Sequence, residues 1–231
     1  MLVLLHEGLG SVSMWKDFPD VLAAATGCSV LAYSRYGHGA STELGEPRPV
    51  DYMHREALIA LPQILAGLNI DRPVLIGHSD GASIALIHAG GGHPVAGLVL
   101  LAPHVFVEDI TIDSIATTRR SFETTGLVDK LARYHDHPQS MFRGWNDVWL
   151  KPEFRDWNIE AYVDAARAPM LLIQSDDDPY GTLAQIDAIA RHASGSVEKL
   201  LLAGCGHSPH VDRREETVSA IKEFVDSLDL S

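Results

Sequence analysis

Six short apolar runs, each ending at turn residues, alternate with longer amphipathic stretches, and this alternation constrains the fold more than any other feature of the chain. The runs are Met1–Leu5, Ser29–Ala32, Pro73–Ile76, Gly97–Leu101, Met170–Gln174 and Val197–Leu202. Short continuous runs of Leu, Val and Ile read as strands buried on both faces. Between them, Met14–Ala25, Tyr52–Leu68, Ala82–Ala89, Leu183–Arg191 and Glu215–Leu228 repeat apolar residues at helical spacing. Strands separated by helices return to the same end of a sheet. The pattern therefore predicts an α/β fold, a mostly parallel sheet of about six strands with helices on both faces. A length of 231 residues suits one domain and is short for two.

One region breaks the alternation. From about His104 to Ala168 the chain reads as helix and loop, and it carries most of the aromatic residues, Trp145, Trp149 and Trp157 among them. The expected organisation is a core of residues 1–103 and 169–231, with residues 104–168 inserted as a helical cap over a site. Ligand pockets are lined mainly by apolar and aromatic groups, which favours a cap over a plain structural excursion. The three tryptophans are either the cap's own core or contacts to a substrate.

The strongest local signal is Gly77-His78-Ser79-Asp80-Gly81, between the run Pro73–Ile76 and the helical stretch Ala82–Ala89. G-x-S-x-G at a strand-to-helix turn places a serine in a strained backbone conformation with its Oγ projecting from the sheet edge. Glycines on both sides permit the tight turn. The helix start aims N–H groups and a positive dipole end at the same point.

A serine needs a base, and the loop Gly204-Cys205-Gly206-His207-Ser208-Pro209-His210 offers His207 and His210 after the last predicted strand. An orienting carboxylate is expected after the preceding strand, where Asp176, Asp177 and Asp178 stand in a row. The other aspartates could cap the following helix. The chain order Ser, Asp, His fits this architecture. An oxyanion would take the backbone N–H of Asp80 and a second donor, Gly8 or Leu9, from His6-Glu7-Gly8-Leu9-Gly10-Ser11.

Together these segments resemble the α/β-hydrolase superfamily over nearly the whole chain. His6 to Ser11 looks like its H-G-x-x-G-S oxyanion loop, and Tyr33-Ser34-Arg35-Tyr36-Gly37-His38-Gly39-Ala40-Ser41 is similar to its D-x-R-G-x-G-x-S turn. Gly77 to Gly81 resembles its elbow, and Gly206-His207 its histidine loop, which implies His207 as base. The family pattern G-x-x-D, with Ser175 in the glycine position, implies Asp178 as the acid. The resemblance implies a serine hydrolase, with hydrolysis of a small carboxylic ester through an acyl-enzyme as the leading activity. The same triad also serves hydrolases of C–C bonds or lactones and cofactor-free peroxidases, and a ligand receptor that kept the triad is the reading from another class. No cofactor is expected.

Three departures stand out. Glu7 replaces the usual glycine after the histidine, and Asp80 puts a carboxylate beside the nucleophile, where it is expected to point away from the oxyanion or to recognise a polar substrate. Only five residues precede His6, whereas relatives carry a β-hairpin first. The sheet order is then second, first, third, fourth, fifth, sixth, with Ser29–Ala32 at an edge that proteins normally cover or pair. A natural minimal enzyme, a mis-assigned start and a homodimer across that edge are the explanations open.

Composition narrows the partners. A formal net charge of −13 and the lack of any Lys/Arg cluster argue against nucleic acid or an anionic membrane, leaving a small molecule. No stretch reaches the roughly 18–20 apolar residues of a membrane span. The apolar start is too short for a signal-peptide core. Two cysteines form no disulfide framework, so a reducing, cytoplasmic location is expected. Twelve histidines invite a metal reading, but none of their spacings matches a ligand motif, and no metal is expected.

Overall fold

The computed structural model describes residues 1–230. Its strands are β1 (Leu2–Leu5), β2 (Val30–Ala32), β3 (Val74–His78), β4 (Gly97–Leu101), β5 (Met170–Ser175) and β6 (Val197–Leu202). They form one parallel sheet in the order β2-β1-β3-β4-β5-β6, the arrangement expected from the sequence. Every residue of β1, β3, β4 and β5 is buried, the pattern of strands covered on both faces. Alternate residues of β1 serve opposite cores. Leu2 and Leu4 pack with Phe18, Ile76 and Phe224, while Val3 and Leu5 pack with Met53, Leu75 and Leu100.

The helices are α1 (Phe18–Thr26), α2 (52–67), α3 (Asp80–Gly90), α4 (Asp109–Thr124), α5 (Leu127–Leu131), α6 (Pro138–Trp149), α7 (Glu160–Ala165), α8 (Ala184–His192), α9 (Pro209–Asp212) and α10 (Arg214–Ser227). The single helix expected over Met14–Ala25 is divided. A 3-10 turn covers Val12–Trp15, and α1 starts only at Phe18. Pro19 explains the late start, because a residue without an N–H fits the first turn of a helix and not its interior. Within α2, Glu56–Ala60 forms a π turn, where the Ala57 carbonyl accepts from His88 Nδ1 at 2.8 Å.

Both sheet edges are blunted. β2 has three residues, all half-buried, and β6 turns Glu198 and Lys199 to solvent, two common ways of discouraging edge-to-edge pairing. Residues 104–168 contribute helices and one isolated antiparallel bridge, Phe106 to Asn158, but no strand of the sheet. Their aromatics stack on one another, with Phe122 on Phe142 at 3.8 Å and Trp157 on Phe154 at 5.5 Å between ring centroids. Cys28 and Cys205 are free thiols.

Candidate active site

The elbow follows from close backbone packing. A Cβ on Gly77 would lie 2.3 Å from the Gly81 carbonyl oxygen, and one on Gly81 would lie 2.0 Å from that of Leu5. Only glycine fits either position, so α3 can start directly against β1. Between them Ser79 adopts φ 54° and ψ −117°, a region that side-chain-bearing residues rarely enter. Its N–H donates to the Leu101 carbonyl at 2.9 Å, extending the β3–β4 ladder and holding the strained residue in place.

His207 stands on the loop after β6. Its Nδ1 lies 2.9 Å from Asp178 Oδ1 and 2.8 Å from Oδ2. Asp178, nearly buried, also accepts from Tyr180 N–H at 2.8 Å and Gln174 Nε2 at 3.0 Å, so its carboxylate is fixed from several sides. The other two aspartates have different partners. Asp177 accepts from the N–H groups of Cys205 and Gly206 at 3.1 and 2.9 Å, and Asp176 from that of Gly204 at 3.3 Å. Hydrogen bonds from Ser175 and this loop hold the Asp177 carboxyl below its usual pKa. The helix-capping role expected of them is absent, because α8 begins only at Ala184 and the histidine loop lies closer.

His210, the rival imidazole, points elsewhere. It packs on Trp15 and Phe18, 4.9 and 5.3 Å between centroids, and burial lowers its pKa to about 4. His78 donates from Nε2 to the His207 carbonyl at 2.7 Å, which ties the elbow to the histidine loop. No hydrogen bond joins Ser79 Oγ to His207 among the described residues, and unliganded sites are commonly this loose.

Ser79, Asp80, Gly8, Leu9, His207, Trp145 and Trp149 share the wall of a cavity of about 210 Å³, with Glu7, His104, Thr111 and Tyr180. A second cavity of about 210 Å³ adjoins it across Glu7, His78 and Ser208. Trp145 lies close against the loop of residues 6–11, since a methyl on Gly8 would fall 2.1 Å from its Nε1. Trp157 stays out of the cavity wall. It packs between Phe154 and Trp149 and belongs to the insertion's own core.

The two candidate donors of the loop differ. The Leu9 N–H donates to the Glu7 carboxylate and is already used, whereas the Gly8 N–H has no acceptor among the described residues. Leu9 is thus displaced as a donor by a side chain that the usual glycine lacks. Burial raises the Glu7 pKa. The Asp80 carboxylate turns away from the elbow, accepting from Tyr52 OH at 2.6 Å and facing Arg35 at 3.9 Å. Sequence reasoning missed this Arg35–Asp80–Tyr52 group and the Glu7 contact. Arg35 stands in the glycine-rich turn of the sequence, but its burial against an acid shows only in the structure.

Comparison with known proteins agrees with this architecture. A family model described as "Alpha/beta hydrolase family" matches residues 2–220. A proline iminopeptidase of Lactobacillus helveticus is 24% identical over 271 residues, covering 99% of this chain and 90% of its own length. An sn-1-specific diacylglycerol lipase of Xenopus laevis is 26% identical over 264 residues, covering 98% and 80%. Among solved structures, one from a study of Nitrososphaera gargenis carboxylesterases superimposes with a TM-score of 0.77 at 19% identity, covering 97% of this chain and 89% of that one.

Proposed function

The chain belongs to the alpha/beta hydrolase family, and from that premise we propose that it is a serine hydrolase cleaving a small carboxylic ester through an acyl-enzyme on Ser79. The observation that carries this reading is the His207 imidazole held by both Asp178 oxygens on the wall of the cavity that Ser79 lines. In this mechanism Ser79 Oγ attacks the ester carbonyl while His207 Nε2 takes its proton. The negative carbonyl oxygen sits between the N–H groups of Gly8 and Asp80, each such donor worth roughly 3 kcal/mol in the transition state. His207 then protonates the leaving alcohol, and water enters by the reverse sequence to release the acid and restore Ser79. Asp178 keeps the Nδ1–H tautomer and stabilises the imidazolium.

A cavity of about 210 Å³ is below the roughly 300–1,000 Å³ typical of drug-sized ligands, which supports a small acyl group. A second reading, cleavage of an amide after an amino-terminal proline, is favoured by the names of the Lactobacillus relatives. A lactone or C–C substrate uses the same groups. The deciding experiment is a turnover screen across p-nitrophenyl esters of rising acyl length, lactones, a vinylogous diketone and proline p-nitroanilide, with Ser79→Ala beside the wild type. The expected result is short-ester turnover that falls about 10⁴–10⁶-fold in the variant. Retention of more than a few per cent of the activity by pure, folded Ser79→Ala would remove Ser79 from the mechanism.

A further inference from the structure

We propose that the buried pair Arg35–Asp80 sets both oxyanion donors at once, Asp80 carrying one on its own backbone and Arg35 aiming the other by gripping the Glu7–Gly8 peptide. The inference rests on the serine-hydrolase reading above and assigns these two side chains as positioning residues within it.

The argument begins with the peptide plane. In a trans peptide the C=O and the following N–H point in opposite directions, so whatever holds the Glu7 carbonyl also directs the Gly8 N–H. The Glu7 oxygen accepts from Arg35 Nη2 at 2.8 Å, His6 Nδ1 at 2.8 Å and Gly10 N–H at 3.0 Å. The same Nη2 reaches the His6 carbonyl at 3.2 Å. Further along, His38 Nε2 holds the Gly8 carbonyl at 3.1 Å and His135 Nε2 holds that of Leu9 at 2.9 Å. Four successive carbonyls are thus held by hydrogen bonds from side chains. The Gly8 N–H has no acceptor among the described residues, and Gly8 lies on the cavity wall.

Arg35 itself is 1% exposed, and its Nη1 has no hydrogen bond, with the Asp80 carboxylate 3.9 Å away. Asp80 is 2% exposed, and its Oδ1 likewise lacks a partner. Each is a buried charge facing the other, with Arg48 and Glu7 also within electrostatic reach, so removing either alone leaves its partner less well compensated. The pairing also answers the puzzle of a carboxylate beside the nucleophile, because the anion is drawn to Arg35 and Tyr52 and away from the site of the oxyanion. Lysine cannot replace Arg35, since a single ammonium lacks the fork that spans two carbonyls and a carboxylate.

The test compares Arg35→Lys, Asp80→Asn and the double variant Arg35→Met/Asp80→Asn, which strands no charge. Three quantities are read on folded protein: kcat and KM for a short p-nitrophenyl ester, inhibition by a trifluoromethyl ketone that forms a tetrahedral oxyanion with Ser79, and the thermal midpoint. The expected result in all three variants is a kcat lowered about 10–100-fold with KM nearly unchanged, and ketone affinity lowered by the same factor. The double variant should keep its thermal midpoint within a few degrees. Wild-type kcat and ketone affinity in the double variant would overturn the inference, as would losses that merely follow the unfolded fraction. A wild type that neither turns over any ester nor binds the ketone would overturn the hydrolase reading along with it.

Discussion

The elbow around Ser79 and the helical insertion of residues 104–168 both border the same cavity, yet they are built by different means. The elbow is set by backbone against backbone. Gly77, Gly81 and Leu5 approach so closely that no side chain fits between them, and Ser79 is forced to φ 54°. The insertion is set by side-chain fit, with Trp145, Trp149, Trp157, Phe154 and Phe142 filling space against one another. Hard-sphere exclusion tolerates almost no substitution, while packing tolerates swaps that conserve volume. The lesson is that chemistry and selectivity can vary separately in one cavity.

The largest of these expected effects lies in the acid that holds His207. Asp178→Asn should lower kcat by about 10³–10⁴, since the amide favours the wrong imidazole tautomer. Asp176→Asn and Asp177→Asn should cost far less, because their carboxylates bond the loop and not His207. Steady-state kinetics on the three variants decides this, and a crippled Asp177→Asn with a healthy Asp178→Asn would reverse the assignment.

Next comes stability. Gly81→Ala drives a methyl into the Leu5 carbonyl and should cost about 3 kcal/mol or more, whereas Trp157→Phe in the insertion should cost under about 1.5 kcal/mol. Urea unfolding of both measures the contrast directly, and equal losses would erase it.

A smaller effect should appear in acid. Burial holds His6, His38, His78 and His210 below their ordinary pKa, His210 at about 4. The unfolded chain takes protons near pH 6.5, so below that value it binds more of them than the folded state does. Stability is therefore full above about pH 6.5 and falls as pH drops toward 4, by on the order of a few kcal/mol. Since these residues hold the loops around the elbow, amide exchange at pH 5.5 should rise first in residues 6–11 and 204–210. First loosening in the insertion would contradict this.

The smallest effect concerns selectivity. Trp145→Ala and Trp149→Ala should each shift relative kcat/KM along an acyl-chain series by about tenfold toward bulkier esters. Trp157→Ala should lower all substrates alike, because it stands outside the cavity wall. Unchanged preference in the first two would reduce the insertion to a structural excursion.

The same contrast explains what was readable in the chain. The four central strands were legible because each is a run of residues buried on both faces, and the elbow because sterics demand glycine at both Gly77 and Gly81. The π turn at Glu56–Ala60 and the divided α1 were not, since Pro19 and local packing override helical periodicity there. The contact between His207 and Asp178 was anticipated through motif spacing. Which tryptophans face the cavity was not, because Trp145 and Trp157 have the same apolar character and differ only in packing. The hold of Arg35 on the oxyanion loop escaped as well, since a contact between residues so far apart in the chain leaves no periodic trace.

The parallel order β2-β1-β3 has a consequence for how the molecule is made. No strand meets its neighbour through a tight turn, so every pairing waits for a crossover to close, and folding of this kind belongs to the slow end of the range. β1 precedes both of the strands it sits between, which begin only at Val30 and Val74. At about 5–20 residues per second, the second of these emerges on the order of several seconds after the first. For that interval Leu2–Leu5, fully buried in the finished sheet, is an apolar segment whose backbone lacks its β3 partner. Until the second partner is made, one edge of this segment stays open to wrong partners.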